Sequence, residues 1–261
     1  ARMLPSDKKF DPKDLSGIWS RSNTALGWGG GSTCPDCGDR GFGNDVPPLT
    51  PAGQKMYDAN KPSYGRNLNS PEAAAHPEEH IGRRRAVPPA NGTDPYQWCN
   101  PMGVTRALIY PDPVEFYQLK DRVLIMHESM HGYRIVLLKD ANDPKKHPAP
   151  EQLNPTWLGH SVGWYEDGGK TLVVDTVGFN GHTWLDYVGH PISEDLHVVE
   201  RFTRPNYGTL HYQATIEDKQ MYTKPWTSSF TIPWKEGLEL FEYICNENNK
   251  DLLHLNTKEW K

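Results

Sequence analysis

Apolar and polar residues alternate with period two through most of the chain beyond residue 110, which is the pattern of half-buried strands. Val114–Leu119 alternates, Lys120-Asp121 makes a turn, and Arg122–Glu128 and His131–Leu138 follow as two more strands. Residues 160–167 and 170–177 read as a hairpin and 196–203 as the next strand; Pro205–Gly208 then turns into Thr209–Ile216, and Thr227–Trp234 is the eighth. Eight strands joined mostly by short turns predict an all-β fold, an antiparallel up-and-down β-barrel. The tail, Glu236–Asn246, fits either a helix or a last strand.

The hairpin carries a readable register. Gly168-Gly169 suits a two-residue turn in which both central residues take φ > 0. Asp167 then pairs with Lys170, Trp164 with Val173, Val162 with Asp175 and His160 with Val177. One face carries His160, Val162, Trp164, Val173, Asp175 and Val177, and the other Ser161, Gly163, Tyr165, Leu172, Val174 and Thr176. The first face sets a histidine and a carboxylate among apolar residues. A charge on a buried face needs a partner, so this face is expected to point inward and to carry chemistry. Glu200, among the apolar residues of 196–203, raises the same expectation. The bland alternative pairs Asp175 and Glu200 with Arg201 or Arg204.

The first 110 residues read differently. Residues 1–16 are polar and extended, and Gly17-Ile-Trp19 opens a first strand. Gly27–Pro48 is glycine-rich. Thr50-Pro51 is an N-cap and first-turn pair for a short helix through about Asn60. Residues 61–97 are polar and proline-rich, and Arg83-Arg84-Arg85 reads better as a solvated turn than as an anion clamp. The expectation is a single β-barrel domain over 1–261, in which 1–110 is a wrapping segment with the first strand and 111–261 supplies the main barrel strands.

The net charge of -5 argues against nucleic acid as a partner, which calls for a basic face. A mean hydropathy of -0.73 with no long apolar run leaves no membrane-spanning segment. Nine Trp and twelve Tyr suit aromatic walls for sugars or planar ligands. Four cysteines without a second C-x-x-C do not support a four-thiolate zinc site. Two disulfides, Cys34–Cys37 and Cys99–Cys245, are preferred to reduced thiols. With the Asn91-Gly-Thr sequon they suggest a secreted or periplasmic protein whose signal peptide has been removed.

His127-Glu128-Ser129-Met130-His131 matches H-E-x-x-H. The zinc-protease use of that motif needs a helix, and here β-type runs flank it. A tight turn could still bring His127 and His131 together with His160 or His190 about a divalent metal, although the sequence requires no cofactor. No nucleophile elbow, phosphate loop or dinucleotide fingerprint is present. The loop Gly178–Asp195 is dense in His182, Trp184, Asp186, His190, Ser193, Glu194 and Asp195. Long loops of that kind tend to be functional.

Gly17-x-Trp19 is similar to the lipocalin signature. The run GHSVGWYEDGGKTLVVDTVGF with the later TWLD, GHP and LHVVERF resembles a large, uncharacterised family of exported bacterial proteins. That resemblance covers most of the chain and marks Arg106, His131, His160, Asp175, Trp184, Asp186, His190, Glu200 and Arg201 as family-typical. Relatives tend to lack His127, and the CPDC segment is peculiar to this chain. The expected architecture is therefore lipocalin-like. The expected function is a secreted lyase or hydrolase acting on a small glycoside or aromatic compound. His131 and His160 would shuttle protons, Asp175 would orient one of them, and Asp186 and His190 would close over the substrate. Trp164, Trp184, Arg106, Glu200 and Arg201 would bind it. The rivals are a non-catalytic binder of a hydrophobic or phenolic ligand and a His-coordinated metalloenzyme.

Overall fold

The structure is a computed structural model that describes residues 8–21, 42, 45–60, 94–129, 132–140, 147–186, 189–245 and 247. Val, Ile, Thr and aromatic residues dominate its strands, as residues that fit a pleated, half-buried surface do. Nine strands follow in chain order around one sheet: β1 Gly17–Trp19, β2 Val114–Gln118, β3 Arg122–His127, β4 Tyr133–Leu138, β5 His160–Glu166, β6 Thr171–Val177, β7 His197–Asn206, β8 Thr209–Glu217 and β9 Trp226–Pro233. The expected eight strands and the Gly-x-Trp strand before them are all present. Every neighbouring pair is antiparallel except β4 and β5, which run parallel. A parallel pair needs a crossover, and residues 139–159 supply it.

The sheet nearly closes on itself. A bridge pairs Trp19 with Trp234, Ser20 N–H donates to Pro233 O at 3.0 Å, and Lys235 N–H donates to Ile18 O at 2.9 Å. Gly17 permits this approach. Its φ is +112°, and a Cβ there would lie 2.0 Å from the Trp234 ring. Trp19 stands edge-on to Trp234, donates from its indole to Leu15 O, and is covered by the Arg204 guanidinium. Inside, Phe116, Phe202, Tyr212 and Phe230 form a chain of ring contacts 4.9–5.4 Å between centroids. Leu172, Val174, Val136 and Ile125 pack with them.

Helix α1, Pro51–Asn60, starts where expected, with Thr50 Oγ1 accepting from Gly53 N–H at 3.0 Å. A second helix, α2 at Val104–Ile109, was not expected; its sequence, with β-branched Val104, Thr105 and Ile109, reads equally well as a strand, and all six residues are buried. The tail beyond β9 is neither helix nor strand in its described part.

The β5–β6 register is as read from the sequence for His160↔Val177, Val162↔Asp175 and Trp164↔Val173. The turn differs. Asp167, Gly168 and Gly169 all have positive φ, so the last pair is Glu166↔Thr171 and Asp167 does not pair with Lys170. The inward face differs too. Ser161, Leu172, Val174 and Thr176 face the core with Val198, Glu200 and Phe202 of β7, whereas His160 and Asp175 face outward. Alternation could not separate the two faces because Val162 and Val173 on the outer one are also buried. Gly163 marks the inner face, since a Cβ there would lie 2.7 Å from Val136.

Candidate active site

Register brings the outer-face cluster together. Asp175 pairs with Val162 on one side and Val199 on the other, so His160 and His197 are its diagonal neighbours across the two ladders. The crossover adds His147. Asp175 Oδ1 lies 2.9 Å from His197 Nε2 and 3.2 Å from His147 Nε2, and His147 Nδ1 lies 2.9 Å from His160 Nδ1. All four side chains are partly exposed.

Burial opposes the Asp175 charge, but hydrogen bonds from His147 and His197 outweigh it and hold the carboxyl well below its usual range. Its hydrogen bond to Asp175 raises the affinity of His197 for its proton. Burial, with His147 and Lys139 nearby, lowers that of His160. The network suggests one tautomer set: both Nε2–H groups donate to Asp175, and His160 Nδ1–H donates to His147 Nδ1. That arrangement leaves His160 Nε2 as a lone-pair base and His197 Nδ1 as the free edge of an imidazole favoured in its protonated form. Trp164 and Arg201, which flank Val173 one row along, share this outer face. Trp164 Nε1–H donates to Glu166, which also receives Arg201 at 2.6 Å.

The structure distributes the other expected residues differently. Asp175 bonds histidines, but they are His147 and His197; among the described residues its link to His160 runs through His147. Asp186 and His190 meet each other, Nδ1 to Oδ2 at 2.6 Å, and among the described residues no hydrogen bond joins them to the Asp175 cluster. Asp186 is fully buried and also accepts from the His190 and Phe42 backbone N–H groups. His190 stacks on Tyr57 of α1, and Asn60 donates to Gly189 O, so this pair pins the loop to the helix.

Arg106 is wholly buried, clamped on Asp94 by bonds of 2.8 and 2.6 Å between the Tyr96 and Trp184 rings. Trp184 is buried with it, so neither offers a face to a ligand from solution. Glu200 lies inside the barrel, bonded to Arg134 and to the Tyr212 hydroxyl at 3.0 Å. Arg134 also donates to Ser161 and Thr176. The bland pairing expected for Glu200 thus exists with a different arginine.

His131, Cys34, Cys37 and the arginine run fall outside the described residues. His127 ends β3 on its inner face, and burial with the nearby Arg134 charge pushes its pKa down to about 3. Glu128 lies in a bend and Ser129 in a 3-10 turn after the strand, so the described part of H-E-x-x-H is not α-helical. Among the described residues no three His, Cys, Asp or Glu side chains are arranged to hold a metal ion. Glu128 has a neighbour of its own kind. Glu128 N–H bonds Pro113 O, and burial together with the Glu128 charge pushes the adjacent Asp112 carboxyl up to about 7.

Of the residues missed from the sequence, His197 meets Asp175 through the β6–β7 ladder, whose register no tight turn sets, so the hairpin count does not reach it. His147 carries no signal either, sitting in a crossover without periodicity. No protein-family model matches the chain, and no curated protein or solved structure matches it.

Proposed function

We propose that the protein is a general acid–base enzyme, a lyase or hydrolase acting on a small glycoside or aromatic compound at the outer-face cluster. The observation that carries the reading is the chain of close contacts from His197 through Asp175 and His147 to His160 on one partly exposed face, with surroundings that raise the proton affinity of His197 and lower that of His160. Two groups whose surroundings drive their proton affinities apart divide into a base and an acid.

His160 Nε2 takes a proton, from a substrate carbon in an elimination or from water in a hydrolysis. His197 Nδ1–H gives one to the departing oxygen as the C–O bond breaks. Asp175 and His147 position the two rings and touch no reacting atom. Trp164, on the same face, is the stacking surface for a sugar or aromatic ring, and Arg201 borders it. The Cys99–Cys245 disulfide supports an oxidising compartment, and so export. No described helix is long and apolar enough to cross a membrane.

The test is a screen of phenolic glycosides and uronic-acid sugars, followed by His160→Ala and His197→Ala on any substrate turned over. Loss of either proton-transfer group costs about 10²–10⁴ in rate with binding retained. A binder would instead lose affinity on Trp164→Ala and ignore the histidine changes. A metalloenzyme would lose activity to a chelator and regain it with one ion. Either pattern replaces this reading.

A further inference from the structure

The outer face of β2–β4 is a three-by-three grid. One row is Glu115, Met126 and Tyr133, the next Tyr117, Leu124 and Ile135, and the third Leu119, Arg122 and Leu137. Seven of the nine are apolar or aromatic. Leu119, Tyr117, Met126, Ile135 and Tyr133 are 39–64% exposed, which is unusual for adjacent large side chains on a rigid sheet. The two charges are opposite in sign and sit in the first and third rows.

We propose that two copies of the chain pack these faces together about a two-fold axis that crosses the strands. Such an axis sets the first row of one copy on the third row of the other. Met126 and Tyr133 then cover Leu137 and the Arg122 stem, while Glu115 of each copy reaches Arg122 of the second. The central row meets itself, Leu124 against Leu124. A two-fold along the strands would place Arg122 against Arg122, a like-charge contact that costs affinity. Among the described residues of one copy the two charges have surface neighbours, Asp121 for Arg122 and the Tyr117 hydroxyl for Glu115. Surface contacts of that kind are worth little and give way to the pairing between copies.

Strand spacing makes the grid roughly 14 by 20 Å. That is on the order of 300 Å² a copy, well under the ~800 Å² per partner of a standard interface. The dimer is therefore in rapid, concentration-dependent exchange.

Sedimentation equilibrium from about 10 µM to 1 mM tests this. The expected result is a reversible monomer–dimer equilibrium that Ile135→Glu and Tyr133→Glu each abolish, with unchanged circular dichroism and melting temperature. Glu115→Arg should weaken association about tenfold, which is 1.4 kcal/mol. The double variant Glu115→Arg/Arg122→Glu should restore it. A monomer at every concentration overturns the proposal, as does a dimer indifferent to Ile135→Glu. Failure of the double variant to recover overturns the crossing axis. A solution monomer that binds lipid vesicles through Ile135 would assign the face to a membrane surface instead.

Discussion

Asp175 raises the proton affinity of His197, whereas burial and the neighbouring His147 and Lys139 lower that of His160. The carboxylate accepts from His197, favouring the charged ring, and from His147, which in turn accepts from His160. If catalysis needs His160 neutral and His197 protonated, kcat/KM rises through the His160 pKa, below about 6.5, and falls through that of His197, above it. The profile is then a bell whose two limbs lie on either side of the ordinary imidazole value. Asp175→Asn removes the charge that favours protonated His197, so the alkaline limb moves to lower pH while the acid limb moves less. A profile unchanged by that substitution removes His197 from the chemistry. Asp112 presents the opposite case, a mostly buried carboxyl near a second one. Its folded pKa of about 7 exceeds the unfolded value, so the folded state holds the extra proton between about pH 4 and 7. Stability through this group is fully present below pH 4 and is lost as pH rises through 7. Asp112→Asn, which keeps the shape and drops the charge, should raise stability at pH 8 by a few kcal/mol at most and change nothing at pH 4. Urea melts at the two pH values read it directly.

At the scale of elements, the barrel is tied internally by a polar belt. Arg134 on β4 bonds Ser161 on β5, Thr176 on β6 and Glu200 on β7, and Tyr212 on β8 completes the acceptors of Glu200. Removing one member leaves a buried charge without its partner, so Glu200→Gln or Arg134→Met should each cost about 3–5 kcal/mol. The double variant Arg134→Met/Glu200→Gln should cost less than the sum of the two, and a thermodynamic cycle measures the coupling. This belt explains why the strands were legible and their orientation was not. Period two locates a strand and, with Gly168-Gly169, fixes the β5–β6 register, but orientation depends on which face is the drier. Here the inner face holds Ser161, Thr176 and Glu200 while the outer one holds the buried Val162 and Val173. Polar residues that satisfy one another across five strands look from one strand like a solvent face. The candidate site was half legible for the same reason. His160 and Asp175 follow from the β5–β6 register alone, whereas His197 depends on the β6–β7 register, which the long loop between those strands leaves unset in the sequence. His147 and the parallel β4–β5 pair depend on how a 21-residue crossover folds back, which no local pattern encodes.

Over the whole molecule, the ends of the fold are held by two devices of different strength. The first is the β1–β9 closure, two backbone hydrogen bonds that bridge Trp19 and Trp234. The second is the Cys99–Cys245 disulfide, which links residues 146 apart in the chain. Between them the tail leaves β9, bonds Ile18 O through Lys235 N–H, and reaches Glu128 Oε2 through Phe241 N–H at 2.9 Å. Closing a loop of that length restricts the unfolded chain by ~5 kcal/mol on the chain-entropy account, and engineered bridges often deliver less. The two hydrogen bonds are worth about 1 kcal/mol each. The disulfide therefore dominates, and its loss should act on the unfolded state more than on the barrel. Non-reducing mass spectrometry should find no alkylatable thiol at either cysteine. Cys99→Ser/Cys245→Ser should lower the unfolding free energy by about 2–5 kcal/mol while the strand signal in circular dichroism stays unchanged. Trypsin should then cut after Lys235 faster than in the oxidised protein, because the tail is held by noncovalent contacts, the Lys8–Glu236 ion pair among them, without a covalent tie. If the double variant matches the oxidised protein in both stability and cleavage, the closure at Trp19 and Trp234 carries the ends of the fold unaided, and the disulfide constrains nothing that the barrel does not already hold.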